Sequence, residues 1–241
     1  ISTIGWPDNI KEFEKWWPVI QFAGKDQVRQ QVGMWQAMLM SSGLLLSKQI
    51  IIHGFLNFER QKMSKSLGNF ITPQDVIERF GLDALRYFVT RDFNQFEDTD
   101  GSWGKLTESY NANLANGLGN LVSRIMKLVE TYLPKPVVVK HPMLDKELVE
   151  FLDKFEIQKA ANYIWEQIGN LDAEIQEKKP WESKDKEVIK DLVTELSQIG
   201  YNLSPFMPGT SEKILTAIKE NKMPETLFPR KNGSTTLNIN A

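Results

Sequence analysis

The sequence predicts a mainly α protein in which a short parallel α/β portion precedes an antiparallel bundle of long helices. Three observations carry that expectation. Two apolar, β-branched runs near residues 19–23 and 49–56 enclose a stretch of helical periodicity. Tyr110, Leu114, Leu118, Leu121, Ile125, Leu128 and Tyr132 then recur every three or four residues, a stripe wide enough to bury. Long helical segments follow near 156–178 and 186–203 with short connections, the pattern of an antiparallel bundle.

Taken in order, Val19-Ile20-Gln21-Phe22-Ala23 is the first strand candidate, ended by Gly24. The helix expected over 26–42 carries Val28, Val32, Trp35, Leu39 and Met40 at helical spacing. Gly43 stops it, as a residue that tolerates the left-handed region does. Gln49-Ile50-Ile51-Ile52-His53-Gly54-Phe55-Leu56 is β-branched enough to be a second buried strand. Strand, helix, strand implies a right-handed parallel unit, and ligands of such sheets sit beyond the carboxyl ends of the strands. Here those ends are Gly24-Lys25-Asp26 and the stretch after Leu56.

Residues 61–69 read as a polar loop. Thr72-Pro73 starts a short helix, Thr as cap and Pro in the first turn, that ends near Gly81. Asp83 is expected to cap the next helix, and residues 91–104 to form an acidic loop. The helix bearing the Tyr110 stripe should be roughly 40 Å long at about 1.5 Å per residue, until Leu133-Pro134-Lys135-Pro136 stops it. Shorter helices are expected near 143–152 and 209–220. Trp16, Trp17 and Trp35 are assigned to packing in the α/β portion, and Trp103, Tyr163 and Trp165 to the bundle or its junction. Domain limits fall at 1–57, 58–103 and 104–229, with a loosely held tail over 230–241.

The 241 residues suffice for one large domain or two ordinary ones. With 41% hydrophobic and 25% charged residues, the composition is that of a globular protein with no membrane partner. No run approaches the roughly 20 apolar residues of a membrane span. The opening Ile1-Ser2-Thr3-Ile4-Gly5-Trp6-Pro7 has neither an initiator Met nor the features of a signal peptide, so the chain is expected to begin inside a longer gene product. The absence of cysteine excludes disulfides and thiolate-bound zinc, and permits a reducing compartment. Two histidines, His53 and His141, argue against a histidine metal site. A net charge of −2 disfavours a protein that coats DNA or RNA, but tolerates one that grips RNA at a few points.

The stretch richest in chemistry is Lys62-Met63-Ser64-Lys65-Ser66-Leu67-Gly68-Asn69. Two lysines three apart among small residues make a flexible cationic clamp, and nearby backbone amides add donors for anionic oxygens. On a triphosphate, Lys62 and Lys65 would neutralise the charge that builds as the α-phosphate is attacked. Each such contact can supply about 3 kcal/mol of transition-state stabilisation. A solvated lysine turn is the plainer alternative.

A second constellation lies in the bundle. Asn120 and Arg124 are one helical turn apart and share a face, where Asn can read base edges and Arg can stack or bind phosphate. Trp181 follows a proline at a helix end, so its indole can stack on an unpaired base. Such stacking contributes about 1–3 kcal/mol per base. The alternative places Trp181 against the bundle core and Arg124 in a surface ion pair.

The complete lysine string resembles the KMSKS motif of class I aminoacyl-tRNA synthetases, and it stands between a sheet strand and a helix as that motif does. The resemblance extends over most of the chain to the methionyl-tRNA synthetases. It runs through Gly81-Leu82-Asp83-Ala84-Leu85-Arg86-Tyr87-Phe88 and Leu114-Ala115-Asn116-Gly117-Leu118-Gly119-Asn120-Leu121-Val122-Ser123-Arg124. Lys179-Pro180-Trp181, Ser204-Pro205-Phe206-Met207-Pro208 and Leu227-Phe228-Pro229-Arg230 continue it. Asn-Leu-Val-Ser-Arg together with Lys-Pro-Trp points to methionyl rather than to the valyl, isoleucyl, leucyl or cysteinyl members.

This resemblance implies the C-terminal half of such an enzyme: the remnant of a Rossmann-like nucleotide-binding domain, then an α-helical anticodon-binding bundle. It implies a cytoplasmic, ATP-dependent activation of methionine and its transfer to tRNA, with Mg2+ accompanying ATP and any zinc held in the missing N-terminal half. Lys65 is then the principal ATP contact, assisted by Lys62 and Ser64. Gly24 lets backbone approach the nucleotide, and Asp26 accepts from ribose hydroxyls or merely caps a helix. His53 touches nucleotide or ends its strand. Asn120, Arg124 and Trp181 contact the CAU anticodon of tRNA-Met.

Two departures stand out. Gln30-Gln31 occupies the place where many methionyl enzymes carry Phe-His, the His lining the amino-acid pocket; Gln31 retains a donor and an acceptor. The other class signature, His-Ile-Gly-His, is absent, so the isolated chain is expected not to form adenylate. A catalytically inert tRNA-binding module and a purely structural helical protein are the other readings.

Overall fold

A computed structural model describes residues 1–58, 61–62, 71–139 and 143–232. They form two compact units: Ile1–Asn57 with Asn94–Asp100, and Phe58–Phe93 with Gly101–Ala241.

In the first unit, helix α1 (Ile10–Trp16) begins where the Asn9 side chain accepts from the Glu12 amide at 3.2 Å. It seats Phe13 between Trp6 and Trp17, with ring centroids 5.5 and 5.6 Å away. The Trp17 indole donates to the Leu45 carbonyl at 2.8 Å. Trp16 was expected in this core but is 61% exposed, its indole donating to Glu12 on the outer face. Neighbouring helical residues point about 100° apart, so only one of the two tryptophans can face inward.

Strand β1 (Ile20–Gly24) pairs in parallel with β2 (Gln49–His53), in register from Ile20↔Gln49 to Gly24↔His53. The crossover is not the single helix expected. A 3-10 turn (Lys25–Gln27) and a π-helix (Arg29–Met34) precede α2 (Trp35–Ser41). The wider winding of the π segment shifts the phase of the stripe. Val28, ahead of that segment, and Val32, within it, are exposed, while Leu39, beyond it, is buried against Phe13 and Trp17. Gly43 ends the crossover at φ 68°, left-handed as the sequence predicts. The strand expected over 49–56 breaks at Gly54, and β3 (Leu56–Phe58) resumes after it. Part of the expected acidic loop also forms a strand, β5 (Thr99–Gly101), whose first amide donates to the Phe55 carbonyl at 2.9 Å. Gln61–Lys62, between β3 and β5 in sequence, forms the two-residue strand β4, and the sheet order is β4-β3-β5. Ser64 and Lys65, with the rest of 63–70, lie outside the described residues.

The second unit opens with α3 (Pro73–Phe80). Thr72 and Asp75 close a reciprocal capping box: the Asp75 amide donates to the Thr72 hydroxyl at 3.1 Å, and the Thr72 amide to the Asp75 carboxylate at 2.6 Å. The Thr72 hydroxyl, donating to that carboxylate at 2.7 Å, and after it the Thr72 amide hold the Asp75 carboxyl below its usual range. The cap is therefore complete at neutral pH and weakens as pH falls through the carboxylate range. Thr72→Ala is expected to destabilise this unit by about 1 kcal/mol, measurable as a lowered urea midpoint.

Helix α4 (Leu82–Tyr87) continues as a π-helix over Phe88–Asp92. Asp83 does not cap it, contrary to expectation. Its carboxylate instead accepts from the amide and hydroxyl of Thr210, at 2.5 and 2.7 Å, in the first turn of α11 (Pro208–Glu220). A carboxylate already near one helix start satisfies orphan donors of another.

A continuous helical run joins α5 (Trp103–Ser109), a π segment (Tyr110–Gly119) and α6 (Asn120–Tyr132). Within the π segment a spacing of four keeps Tyr110, Leu114 and Leu118 on one face, and Leu121 and Ile125 continue it in α6. All five are at most 1% exposed. The bundle is completed by α7 (Lys146–Asp153), α8 (Ile157–Lys178), the short α9 (Pro180–Ser183) and α10 (Lys186–Asn202). Helix α10 packs against α6, α8 and α11, and α7 against α8. No described helix is long and apolar enough to cross a membrane.

Tyr87 is fully buried at the heart of this unit, its hydroxyl bonded to Asp92, Ser109 and Arg91 at 2.9, 3.0 and 2.8 Å. Burial first, then the Asp92 charge, pushes its pKa up to about 12. The folded state thus keeps this proton where the unfolded chain loses it, so stability falls as pH rises from 10 to about 12. Phenolate absorbance of native protein should show late-titrating tyrosines, Tyr163 among them, and Tyr87→Phe should reduce their number by one.

Candidate functional site

Each unit presents one candidate site. In the first, the parallel register sets Gly24 and His53 side by side at the carboxyl ends of β1 and β2. The His53 ring stacks on Phe22, 5.9 Å between centroids and 18° between planes. Asp26 lies exposed within the turn after β1, and Gly24 rather than Asp26 stands at its N-cap. A Cβ on Gly24 would come 2.9 Å from the Asp26 carboxylate. The helix-cap alternative for Asp26 is thus not realised, and its carboxylate is available over the bare Gly24 backbone. Lys25 is held by Asp98, Nζ to Oδ1 at 2.8 Å, while the Phe55 amide donates to the same oxygen at 2.7 Å. These two donors, Lys25 first, hold the Asp98 carboxyl below its usual range.

Gly54 is required here for close approach. A Cβ would stand 2.1 Å from the Glu97 carbonyl oxygen and 2.9 Å from the Asp98 nitrogen. Gly54→Ala must push back the Asn94–Asp98 backbone and is expected to destabilise this unit by about 1–3 kcal/mol. Faster hydrogen exchange at the Gly54 and Thr99 amides, which bond Gln95 and Phe55, would register it.

The second site is a groove of about 430 Å³ along the start of α6. Asn120 opens that helix, and Arg124 and Lys127 follow one turn at a time along the same edge. Trp181 comes to them from a sharp corner. Helix α8 ends at Lys178, Lys179 turns left-handed at φ 41°, and Pro180 starts α9. Pro180 is buried and anchors the corner, so the next side chain is thrown outward: Trp181 is 40% exposed. Ile175 forms a buried wall, and Met223 sits opposite with its amide donating to Glu130 at 2.8 Å.

Arg124 makes the ion pair of the plainer reading, Nη1 to Asp172 Oδ1 at 2.6 Å. The Gln176 amide, oriented with its oxygen inward, accepts from Nη2 at 2.7 Å and Nη1 at 3.1 Å. The guanidinium nevertheless remains a wall of the groove. Apolar walls, an open indole and polar groups along one rim suit a planar heteroaromatic ring with hydrogen-bonding edges.

Asn120, Arg124 and Trp181 are thus brought together, as are Gly24, Asp26 and His53. Sequence reasoning missed Asp98, Asp172, Gln176 and Met223. Only the polar i, i+4 spacing of Asp172 and Gln176 on α8 offered a signal.

The family model for tRNA synthetases class I (M) matches residues 2–126. The methionine–tRNA ligase of Caldanaerobacter subterraneus subsp. tengcongensis is 36% identical, over 89% of this chain and 37% of its own length. That of Thermotoga maritima is 33% identical, over 93% and 39%. In structure, the chain is similar to Mycobacterium tuberculosis methionyl-tRNA synthetase bound by methionyl-adenylate. The TM-score is 0.77 at 26% identity, covering 95% of this chain and 52% of that one. The chain therefore spans about two fifths of the length of these curated relatives.

Proposed function

Because this chain belongs to the tRNA synthetases of class I (M), we propose that it supplies the phosphate-side loop and the anticodon-reading bundle of a methionine–tRNA ligase. The reaction joins methionine to ATP and then to tRNA in the cytoplasm. The methionine carboxylate attacks the α-phosphorus, pyrophosphate leaves, and the aminoacyl group passes to the terminal ribose. Lys65, with Lys62 and Ser64, binds the β- and γ-phosphates and offsets the charge they gain; Mg2+ arrives with ATP. Gly24 and Asp26 receive the ribose, with His53 beside them. Asn120, Arg124 and Trp181 take the unpaired CAU bases of tRNA-Met.

The observation that carries this reading is the convergence of Asn120, Arg124 and Trp181 on one apolar groove. Trp181→Ala is expected to weaken binding of a CAU stem-loop by about 10- to 100-fold, the loss of one stacked base. Its half-exposed position predicts little change in melting temperature.

The activity is tested in a chimaera in which this chain replaces the matching segment of the Thermotoga maritima ligase. Methionine-dependent pyrophosphate exchange and methionylation of tRNA are expected from the chimaera, and neither from the isolated chain. A folded chimaera that binds tRNA yet forms no adenylate would contradict the proposal.

A further inference from the structure

Arg124 is held from α8 in a way that helix stability does not require. Its side chain is 34% exposed and that of Asp172 is 50% exposed, a setting in which an ion pair contributes little to folding. Asp172 and Gln176 are one turn apart on α8 and so face Arg124 together. Between them they occupy Nη1 and Nη2. A guanidinium has five N–H donors in one plane, and gripping both terminal nitrogens fixes that plane while leaving donors for a ligand. The carboxylate also cancels the charge that would draw Arg124 to any phosphate, whereas the exposed Lys127 next to it makes no ion pair among the described residues.

We propose that Asp172, helped by Gln176, is a positioning residue that determines specificity, making Arg124 a reader of anticodon bases rather than a general phosphate contact. The inference rests on the anticodon reading of the groove. In the free state the arginine is already in its working orientation, so a cognate loop meets a fixed donor array. A non-cognate loop presents no matching acceptors to that array and gains no phosphate contact from Arg124. Lys127 supplies the sequence-independent attraction to the backbone, and Trp181 supplies the stacking surface. Discrimination therefore resides in the Asp172–Arg124 pair.

The test uses the full 241-residue chain and stem-loops carrying CAU, GAU or UAC, with affinities measured across a salt series. Asp172→Asn keeps the shape and removes the charge. It should lower the preference for CAU about tenfold, the size of one lost directed base contact. Non-cognate loops should bind more tightly, with a salt slope steeper by about one unit as Arg124 turns to phosphate. In an Arg124→Ala background the same substitution should leave the preference unchanged, and Asp172→Glu should restore part of it.

A merely structural Asp172 would weaken all three loops together and lower the melting temperature; that result overturns the inference. So does an Asp172→Asn chain that keeps the wild-type preference for CAU, and in that case the anticodon reading itself survives. If the wild-type chain shows no preference at all, both fall.

Discussion

In the Thermotoga maritima chimaera, Lys62→Ala combined with Lys65→Ala is expected to slow methionine-dependent pyrophosphate exchange by about three orders of magnitude or more. The reason is where negative charge appears. Pyrophosphate gains charge only as the bond to the α-phosphorus breaks, so cations on the β- and γ-oxygens stabilise the transition state more than bound ATP. The loss should fall mainly on kcat, with a smaller rise in KM for ATP. Lys65→Ala alone should account for most of it, since Lys65 is assigned the principal contact and Lys62 an assisting one. Exchange at the unsubstituted rate would leave the lysine string a solvated turn.

Asn202→Leu should have the largest effect on stability, about 3–4 kcal/mol from several orphaned polar groups. Asn202 is fully buried near the end of α10. Its amide nitrogen donates to Asp145 at 2.7 Å and Gln167 at 3.0 Å; its oxygen accepts from the Asp145 amide at 3.2 Å and from Gln198 at 3.1 Å. The same Asp145 oxygen also accepts from Tyr163 at 3.1 Å and Gln167 at 2.6 Å. One side chain thus ties the start of α7 to α8 and α10. Leucine keeps the branched outline but is bulkier, and it leaves those partners unsatisfied in a buried setting. For a unit of this size the melting temperature should drop on the order of 10 °C. A shift within a degree or two of wild type would mean that the network contributes nothing net.

The bundle was legible because its signal is local and periodic. The stripe from Tyr110 to Leu128 is buried as its spacing predicts, and Pro134 follows the end of α6 where a helix must stop. The parallel pair of strands was legible from the Ile50-Ile51-Ile52 run and the glycines that end each element. What escaped depended on partners distant in sequence. Asp83 has the chemistry of a cap, but nothing near it reveals that its partner, Thr210, stands 127 residues later in the first turn of another helix. Lys25 is legible only as part of a strand end, and nothing near it reveals that Asp98 holds it from another loop. The π winding over 29–34 leaves no mark in the spacing of Val28 and Val32 that separates it from an α-helix. At the groove, Asn120 and Arg124 could be placed on one face from spacing alone. Their meeting with Trp181 depends on a left-handed Lys179 and a buried Pro180, and the restraint on Arg124 comes wholly from α8. The lysine string, apart from the backbone of Lys62, lies outside the described residues, so its assignment is sequence chemistry.

Competition among three RNA stem-loops for the unmodified chain bears most directly on the claim that this bundle reads a methionine anticodon. CAU should displace a bound CAU loop at much lower concentration than GAU or UAC, each changed base costing about 1–3 kcal/mol. Trp181→Ala should narrow the gap. Equal displacement by all three loops, with the tryptophan variant indistinguishable from wild type, would contradict the account.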